Sequence, residues 1–228
     1  MSVTYSIVLI SHERPRLVLQ ALKSAQAQTY PASEILVVDS GSLIEELGRW
    51  RDERTRVVGT GETKEMQASK QMPSWALNEF IPQTTGEWIV SLCDDDLLLP
   101  TYLEAFALAA GGENLERRPA SFYTGEFRVR ADERGYIQSE LGLFRAERER
   151  GPGEMDCQID YLQFVFNRAM WERLCEQHEG RPFPEEKEHS RHADGIFMER
   201  AVAVSRARPV EGVHCVNRRT PVSRFCGG

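Results

Sequence analysis

Apolar, β-branched runs alternate with segments of helical spacing through the first 110 residues, and this alternation constrains the fold more than any other feature of the chain. "YSIVLI" reads as a buried strand. Pro15 then suits the first turn of a helix that carries Leu17, Leu19 or Gln20, Leu22 and Ala25 on its apolar side. "EILVVD" repeats the strand and "SLIEELGRW" the helix. "TRVVG" is a third strand, the polar stretch through "SWALNEFI" a helix, "GEWIVSL" a fourth strand, and "PTYLEAFALAA" a helix begun by Pro100 and closed by Gly111 and Gly112. Strands that alternate with helices pair in parallel, because each helix returns the chain to the same end of the sheet. A doubly wound α/β sheet is the expectation, and ligands of such sheets bind beyond the carboxyl ends of the strands.

Asp39 closes the second strand run, and "SLCDDDLLLP" sets Asp94, Asp95 and Asp96 directly after the fourth, so all of them fall on that one edge. Three adjacent carboxylates repel one another. A divalent cation of the magnesium or manganese type prefers oxygen ligands, cancels the repulsion and leaves coordination positions for phosphate oxygens. The alternative is that they cap the helix near Pro100 and meet its positive dipole end, for which one aspartate is adequate.

The second half is less regular. "ASFYTGEFRVRADERGYIQ" reads as a hairpin turning near "DERG", while "RERGPGEMD" and "EGRPFPEEKEHSRH" read as loops. "RAMWERLCEQ" reads as a helix, and "DGIFMERAVA" as an amphipathic helix with Asp194 at its N-terminal side. Internal repeats and low-complexity segments are absent. The later helices need the sheet to pack on, so one domain over residues 1–228 is expected.

Composition excludes several classes. With 41% hydrophobic and 28% charged residues the chain is of the soluble globular type, and no apolar run approaches the roughly 20 residues of a spanning helix. The start "MSVTYSIVLISHERP" lacks a basic region, so no signal peptide is expected. A formal charge of −7 argues against nucleic acid as a partner. From Ser205 onward, however, Arg206, Arg208, Arg218, Arg219 and Arg224 face only Glu211, an end that could meet phosphates or a membrane surface, or simply be a solvated tail. Five cysteines without a C-x-x-C pair suggest neither a disulfide framework nor a zinc knuckle, and a reducing cytoplasm fits them best. His189 and His192 have the spacing of a ligand pair, but their surroundings read as a solvated loop.

In order and spacing, "SIVLISHERPRLVLQALKSAQAQTYPASEILVVDSGS", "ALNEFIPQTTGEWIVSLCDDDLLLPTYLE" and "HADGIFMERA" together resemble the family 2 glycosyltransferases of GT-A fold. The resemblance is strong over residues 5–105. It implies a Rossmann-like, mostly parallel sheet with helices on both faces and a smaller mixed C-terminal region. Residues 1–110 would be the nucleotide-sugar half and 111–228 the half that binds the acceptor and carries the base.

The resemblance further implies a nucleoside-diphosphate sugar donor and a Mn2+ or Mg2+ ion held by Asp95 with Asp96, Asp94 lying beside them toward the ribose or metal waters. Ser11, Glu13 and Asp39 would contact the nucleoside, with Ser40 and Asn78 completing that set. Asp194 would be the base that deprotonates the hydroxyl of a glycan, lipid-linked or small-molecule acceptor, giving inversion, with Asp156, Asp160, Glu186 or Glu188 as substitutes. His214 and the following "VNRRTPVSR", with Arg218 and Arg219, would close on the diphosphate. Four positions depart from the family pattern: Cys93 and Ser40 replace aspartates, Leu77 an arginine and Ala193 a glutamate. With serine at 40, base discrimination should weaken or shift to Asp39 and Glu13. The rival readings are a sugar nucleotidylyltransferase, although "SHERPR" is no glycine-rich phosphate loop, and a nucleotide-sugar-binding module with weakened catalysis.

Overall fold

The computed structural model describes residues 3–40, 43–111, 119–156, 158–189 and 192–221. Four parallel strands, β1 (Tyr5–Ser11), β2 (Glu34–Asp39), β3 (Thr55–Gly59) and β4 (Trp88–Cys93), lie in the order β3-β2-β1-β4. Alternate side chains of each strand serve opposite cores. Tyr5, Ile7, Leu9, Ile35, Val37, Trp88, Val90 and Leu92 face one side, where α1 (Pro15–Gln26) and α5 (Tyr102–Gly111) pack. Val8, Leu36, Val38 and Ile89 face the other, against α4 (Met72–Phe80), α6 (Arg168–Gln177) and α7 (Ala193–Val204). Helices thus cover both faces, as the alternating pattern demands.

The helices follow their local signals with small shifts. In α1 Pro15 occupies the first turn, and the buried stripe is Leu17, Val18, Ala21, Leu22 and Ala25, so Leu19 and Gln20 lie outside it. The polar stretch before "SWALNEFI" forms a separate α3 (Lys64–Ser69), capped by Thr63, and "LIEELG" yields only the short α2 (Ile44–Gly48). "DGIFMERAVA" forms a mostly buried helix, with Phe197, Met198, Ala201 and Val202 in the core.

The second half extends the sheet as a mixed region. β6 (Ser121–Ala131) and β7 (Ile137–Phe144) form the expected hairpin. β8 (Phe164–Asn167) runs antiparallel to both β4 and β6, joining the two halves through one sheet. β9 (Arg208–Arg219) lies parallel to β6 and antiparallel to the two-residue β5 (Leu97–Leu98). This corrects the reading of the C-terminal segment as a basic tail. Its alternation is obscured by Glu211, His214, Asn217 and the arginines, but its backbone finds ladder partners along β6 and, at Cys215 and Val216, on β5 as well. Arg206 and Arg208 meet Glu149, and Arg206 also Glu154, so that part of the basic end is matched by acids. Arg224, Cys157 and Cys226 lie outside the described residues. Cys93, Cys175 and Cys215 are free thiols. Among the described residues no helix is long and apolar enough to cross a membrane.

Candidate active site

The parallel strands end side by side. Ser11 pairs with Asp39, Ile10 with Cys93 and Asp39 with Gly59. The turn after β4 therefore delivers Asp94, Asp95 and Asp96 to the edge where the β1 and β2 turns also arrive. All three carboxylates are buried. Their repulsion is met from two sides by arginine.

Arg14 comes from the turn after β1. Its Nη1 lies 2.8 Å from Asp95 Oδ2 and its Nη2 3.0 Å from Asp94 Oδ1, while the His12 amide donates to Asp94 Oδ2 at 3.0 Å. Burial opposes the charge on Arg14, but the two carboxylates hold its pKa above the ordinary guanidinium value. Asp94 is pushed up to about 7, chiefly by burial, despite Arg14.

Arg218 comes from β9 and is 1% exposed. Its Nε donates to the Asp95 carbonyl at 2.5 Å and its Nη2 to the Asp94 carbonyl at 3.3 Å; its amide donates to Asp96 Oδ1 at 3.3 Å, and its Nη1 bonds Gln20 Oε1. The sequence reading placed Arg218 on a diphosphate. The structure instead gives it to the acidic turn, whose backbone it ties to α1 and β9. His214, read as part of the same closing segment, contacts Thr101 Oγ1 at 3.2 Å and the Glu211 carbonyl at 2.9 Å.

Cys93 Sγ and one oxygen each of Asp95 and Asp96 lie within 4.8 Å of one another. That spacing fits the ligand sphere of one cation, since oxygen and sulfur ligands sit about 2.0–2.6 Å from such ions. The aspartate "missing" at position 93 is thus replaced in space by a thiol, whose pKa burial and the neighbouring carboxylates push well above its usual value. Neither His189, 3.7 Å from Glu188, nor His192, 3.2 Å from Asp156 Oδ1, joins this cluster.

More carboxylates extend from the turn toward α7. Glu126, fully buried on β6, bonds Arg128 Nε and is pushed up to about 7 by burial and then by Asp160. Asp160 accepts from Asn217 Nδ2 at 2.7 Å and caps the short turn 161–163. Asp96 is pushed well up by burial and by Asp95, Asp160 and Glu126. Asp194 follows: half-buried, it is raised to about 7 by burial and by the charge of Asp160. It is not the N-cap of α7, a place taken by His192, whose side chain makes no capping bond; the Asp194 Oδ1 accepts from the Gly195 amide at 2.9 Å. Gly195 is required there, because a Cβ would stand 2.0 Å from Asp156 Oδ1. Of the substitute bases, Asp156 is exposed beside His192, Glu186 is exposed with its backbone in an isolated β-bridge to Lys70, and Glu188 is exposed.

The residues assigned to the nucleoside separate into two groups. Ser11, Asp39 and Ser40 sit at the sheet edge, Ser40 Oγ donating to the Ser11 carbonyl at 3.0 Å and touching His12 Nδ1. Glu13 is exposed and left-handed, with φ 51°. Asn78 lies elsewhere. Its Nδ2 donates to the Phe183 carbonyl and to Glu185 Oε1, both at 2.9 Å, and its Oδ1 accepts from the Phe183 amide at 3.1 Å. It clamps the loop before α7, and Leu77 and Ala193 are core residues. Sequence reasoning missed Arg14, Glu126 and Glu62. Arg14 stood in the quoted "SHERP" turn, and Glu126 is an acid inside an apolar strand, which is itself a signal.

A sequence model described as Glycosyl transferase family 2 matches residues 6–173. TarS of S. aureus, residues 1–349, in complex with UDP-GlcNAc, is similar at TM-score 0.66 and 15% identity, over 95% of this chain and 58% of that one. The mannosyltransferase PcManGT from Pyrobaculum calidifontis, in complex with GDP-Man and Mn2+, is similar at TM-score 0.59 and 18% identity, over 95% and 57%. The inositol-1-phosphate CTP transferase from T. maritima follows at 0.54 and 12%, over 97% and 91%. The chain therefore spans less than two thirds of the length of the first two. No curated protein matches it in sequence.

Proposed function

The chain belongs to glycosyl transferase family 2, and on that premise we propose that it transfers a sugar, with inversion, from a nucleoside-diphosphate donor to an acceptor hydroxyl with the help of a divalent cation. The observation that carries this reading is the line of carboxylates running from a candidate cation-binding trio, Cys93, Asp95 and Asp96, to Asp194 raised to about 7. The complexes of TarS with UDP-GlcNAc and of PcManGT with GDP-Man and Mn2+ support a nucleotide sugar as donor and a divalent ion as helper.

Asp95 and Asp96, with Cys93, would hold the ion, which when bound supplies positive charge to the leaving diphosphate. Arg14, half-buried against Asp94 and Asp95, is the chain's own cation at that place; its planar guanidinium suits a phosphate oxygen as well as a carboxylate. Asp194 takes the proton of the acceptor hydroxyl. A base works best when its pKa lies near the working pH, and burial beside Asp160 brings Asp194 there. In-line attack on the face opposite the diphosphate gives inversion. Under this reading residues 1–110 bind the donor, and 111–228 supply the base and bind a glycan, lipid-linked or small-molecule acceptor, all within one domain.

The test is to incubate the chain with nucleotide sugars, with and without Mn2+ or Mg2+, and to identify the phosphate product. Metal-dependent release of nucleoside diphosphate is expected. Pyrophosphate release would indicate the nucleotidylyltransferase reading, which the fold-level likeness to a CTP transferase keeps in view. Nucleotide-sugar binding without turnover would reduce the chain to a binding module.

A further inference from the structure

Resting on the reading above, we infer that Glu62, with Asp39, selects a guanine base and that the donor is a guanosine-diphosphate sugar. Glu62 follows β3. The Thr60 amide bonds the Asp39 carbonyl at 3.0 Å, and the Glu62 amide bonds Thr60 Oγ1 at 3.3 Å, which draws this loop against the end of β2. The Glu62 side chain is only 3% exposed. Its Oε1 accepts from Gln67 Nε2 at 2.8 Å and lies 4.0 Å from His12 Nδ1, the ring nitrogen that touches Ser40 Oγ. Position 40 carries serine where the family pattern has an aspartate, and Glu62 brings a carboxylate toward the same nitrogen of the same histidine ring.

Among the described residues, three buried oxygens on this edge have no hydrogen-bond partner: Ser11 Oγ, Asp39 Oδ1 and Glu62 Oε2. Their residues come from the ends of β1 and β2 and the loop after β3. Asp39 is 1% exposed, and its other oxygen is bonded by the Leu43 amide at 3.0 Å. A buried carboxylate oxygen without a donor is costly, so this edge calls for a ligand that brings donors.

Two carboxylates accept and do not donate. The Watson–Crick edges of the bases therefore divide sharply. Uracil and thymine offer one N–H between two carbonyls, so a second carboxylate would face an oxygen. Adenine and cytosine offer one amino group beside an acceptor nitrogen. Guanine alone presents two donors on neighbouring atoms, N1–H and the N2 amino group, one for each acid. Hydrogen bonds to charged acceptors are the strong class, and a site built for donors rejects a base that lacks them.

Calorimetry of GDP, UDP, CDP and ADP with Mn2+ present tests this on the wild type, Glu62→Gln and Gln67→Ala. Glu62→Gln keeps the shape but turns one acceptor into a donor. Gln67→Ala loosens the same carboxylate's packing without altering its charge and controls for loop disturbance. The wild type should bind GDP at least tenfold more tightly than the other three. Glu62→Gln should bring GDP and UDP within threefold, and Gln67→Ala should keep the wild-type ratio. A wild type that prefers UDP, CDP or ADP, or a preference for GDP that survives Glu62→Gln or is lost equally in Gln67→Ala, overturns the assignment while leaving the transferase reading intact. A wild type that binds none of the four nucleotides overturns both.

Discussion

Arg14 Nη1 donates to Asp95 Oδ2 at 2.8 Å, tying the turn after β1 to the turn after β4 at the carboxyl edge of the sheet. The same guanidinium reaches Asp94, so one arginine compensates two of three adjacent acids. Removing it leaves these buried carboxylates with Arg218 as their remaining counter-charge. Arg14→Met should cost roughly 1–3 kcal/mol, less than a fully buried pair because the side chain keeps partial access to water. Mn2+ should restore part of the loss. Denaturant unfolding with and without the metal measures both, and a variant as stable as wild type in its absence would show that the pair compensates nothing.

Asp95→Ala should remove metal-dependent binding of nucleoside diphosphates and leave the fold in place. The carboxylate is at the sheet edge, while the backbone of its turn is held independently by Arg218 through the Asp94 and Asp95 carbonyls. Undiminished Mn2+-dependent binding in a folded variant would take Asp95 out of the metal site.

Arg218 distinguishes charge from geometry. Arg218→Lys keeps the charge but cannot span the Asp95 carbonyl, the Asp94 carbonyl and Gln20 from one planar group. It should lower stability by about 2–4 kcal/mol, the scale of a broken buried ionic network. Thermal melts read the change. A lysine variant equal to wild type would mean that only the positive charge is required.

Asp194→Asn keeps the shape and the bond to the Gly195 amide but cannot take a proton. Turnover should fall roughly 10²-fold or more with donor affinity little changed. Wild-type kcat/KM should rise with pH through about 7, because the base works only when deprotonated. Transfer at near wild-type rate by the variant would move the base elsewhere.

Stability should run the other way. Glu126 and Asp194 are pushed up to about 7 in the folded protein, whereas in the unfolded chain they titrate at about 4. Between these values the native state retains protons that the unfolded chain has released, so the slope of unfolding free energy with pH is negative: stability is fully present below about 4 and is lost as pH rises through 7. Melts without divalent cation should shift downward from pH 5 to 8, and Glu126→Gln should flatten the curve. The same slope in wild type and variant would exclude Glu126 as a source.

The strand and helix alternation of the first half, the sheet it forms, and the edge that collects Asp39 and Asp94–Asp96 were all determined by local pattern, because the period-2 and helical signals there need no distant partner. Tertiary structure decided the rest. β9 looks like a basic tail until β6 and β5 satisfy its backbone. Arg218 looks like a phosphate ligand until burial and the Asp94 and Asp95 carbonyls claim it. Asn78 is drawn to Phe183 and Glu185, over 100 residues away in the chain. Asp194 owes its raised pKa to burial and Asp160, and Glu62 its place beside His12 to the loop after β3, which the Thr60 amide ties to the Asp39 carbonyl at the end of β2. Charge compensation and hydrogen-bond satisfaction depend on which atoms meet in space, and one-dimensional spacing carries no record of that.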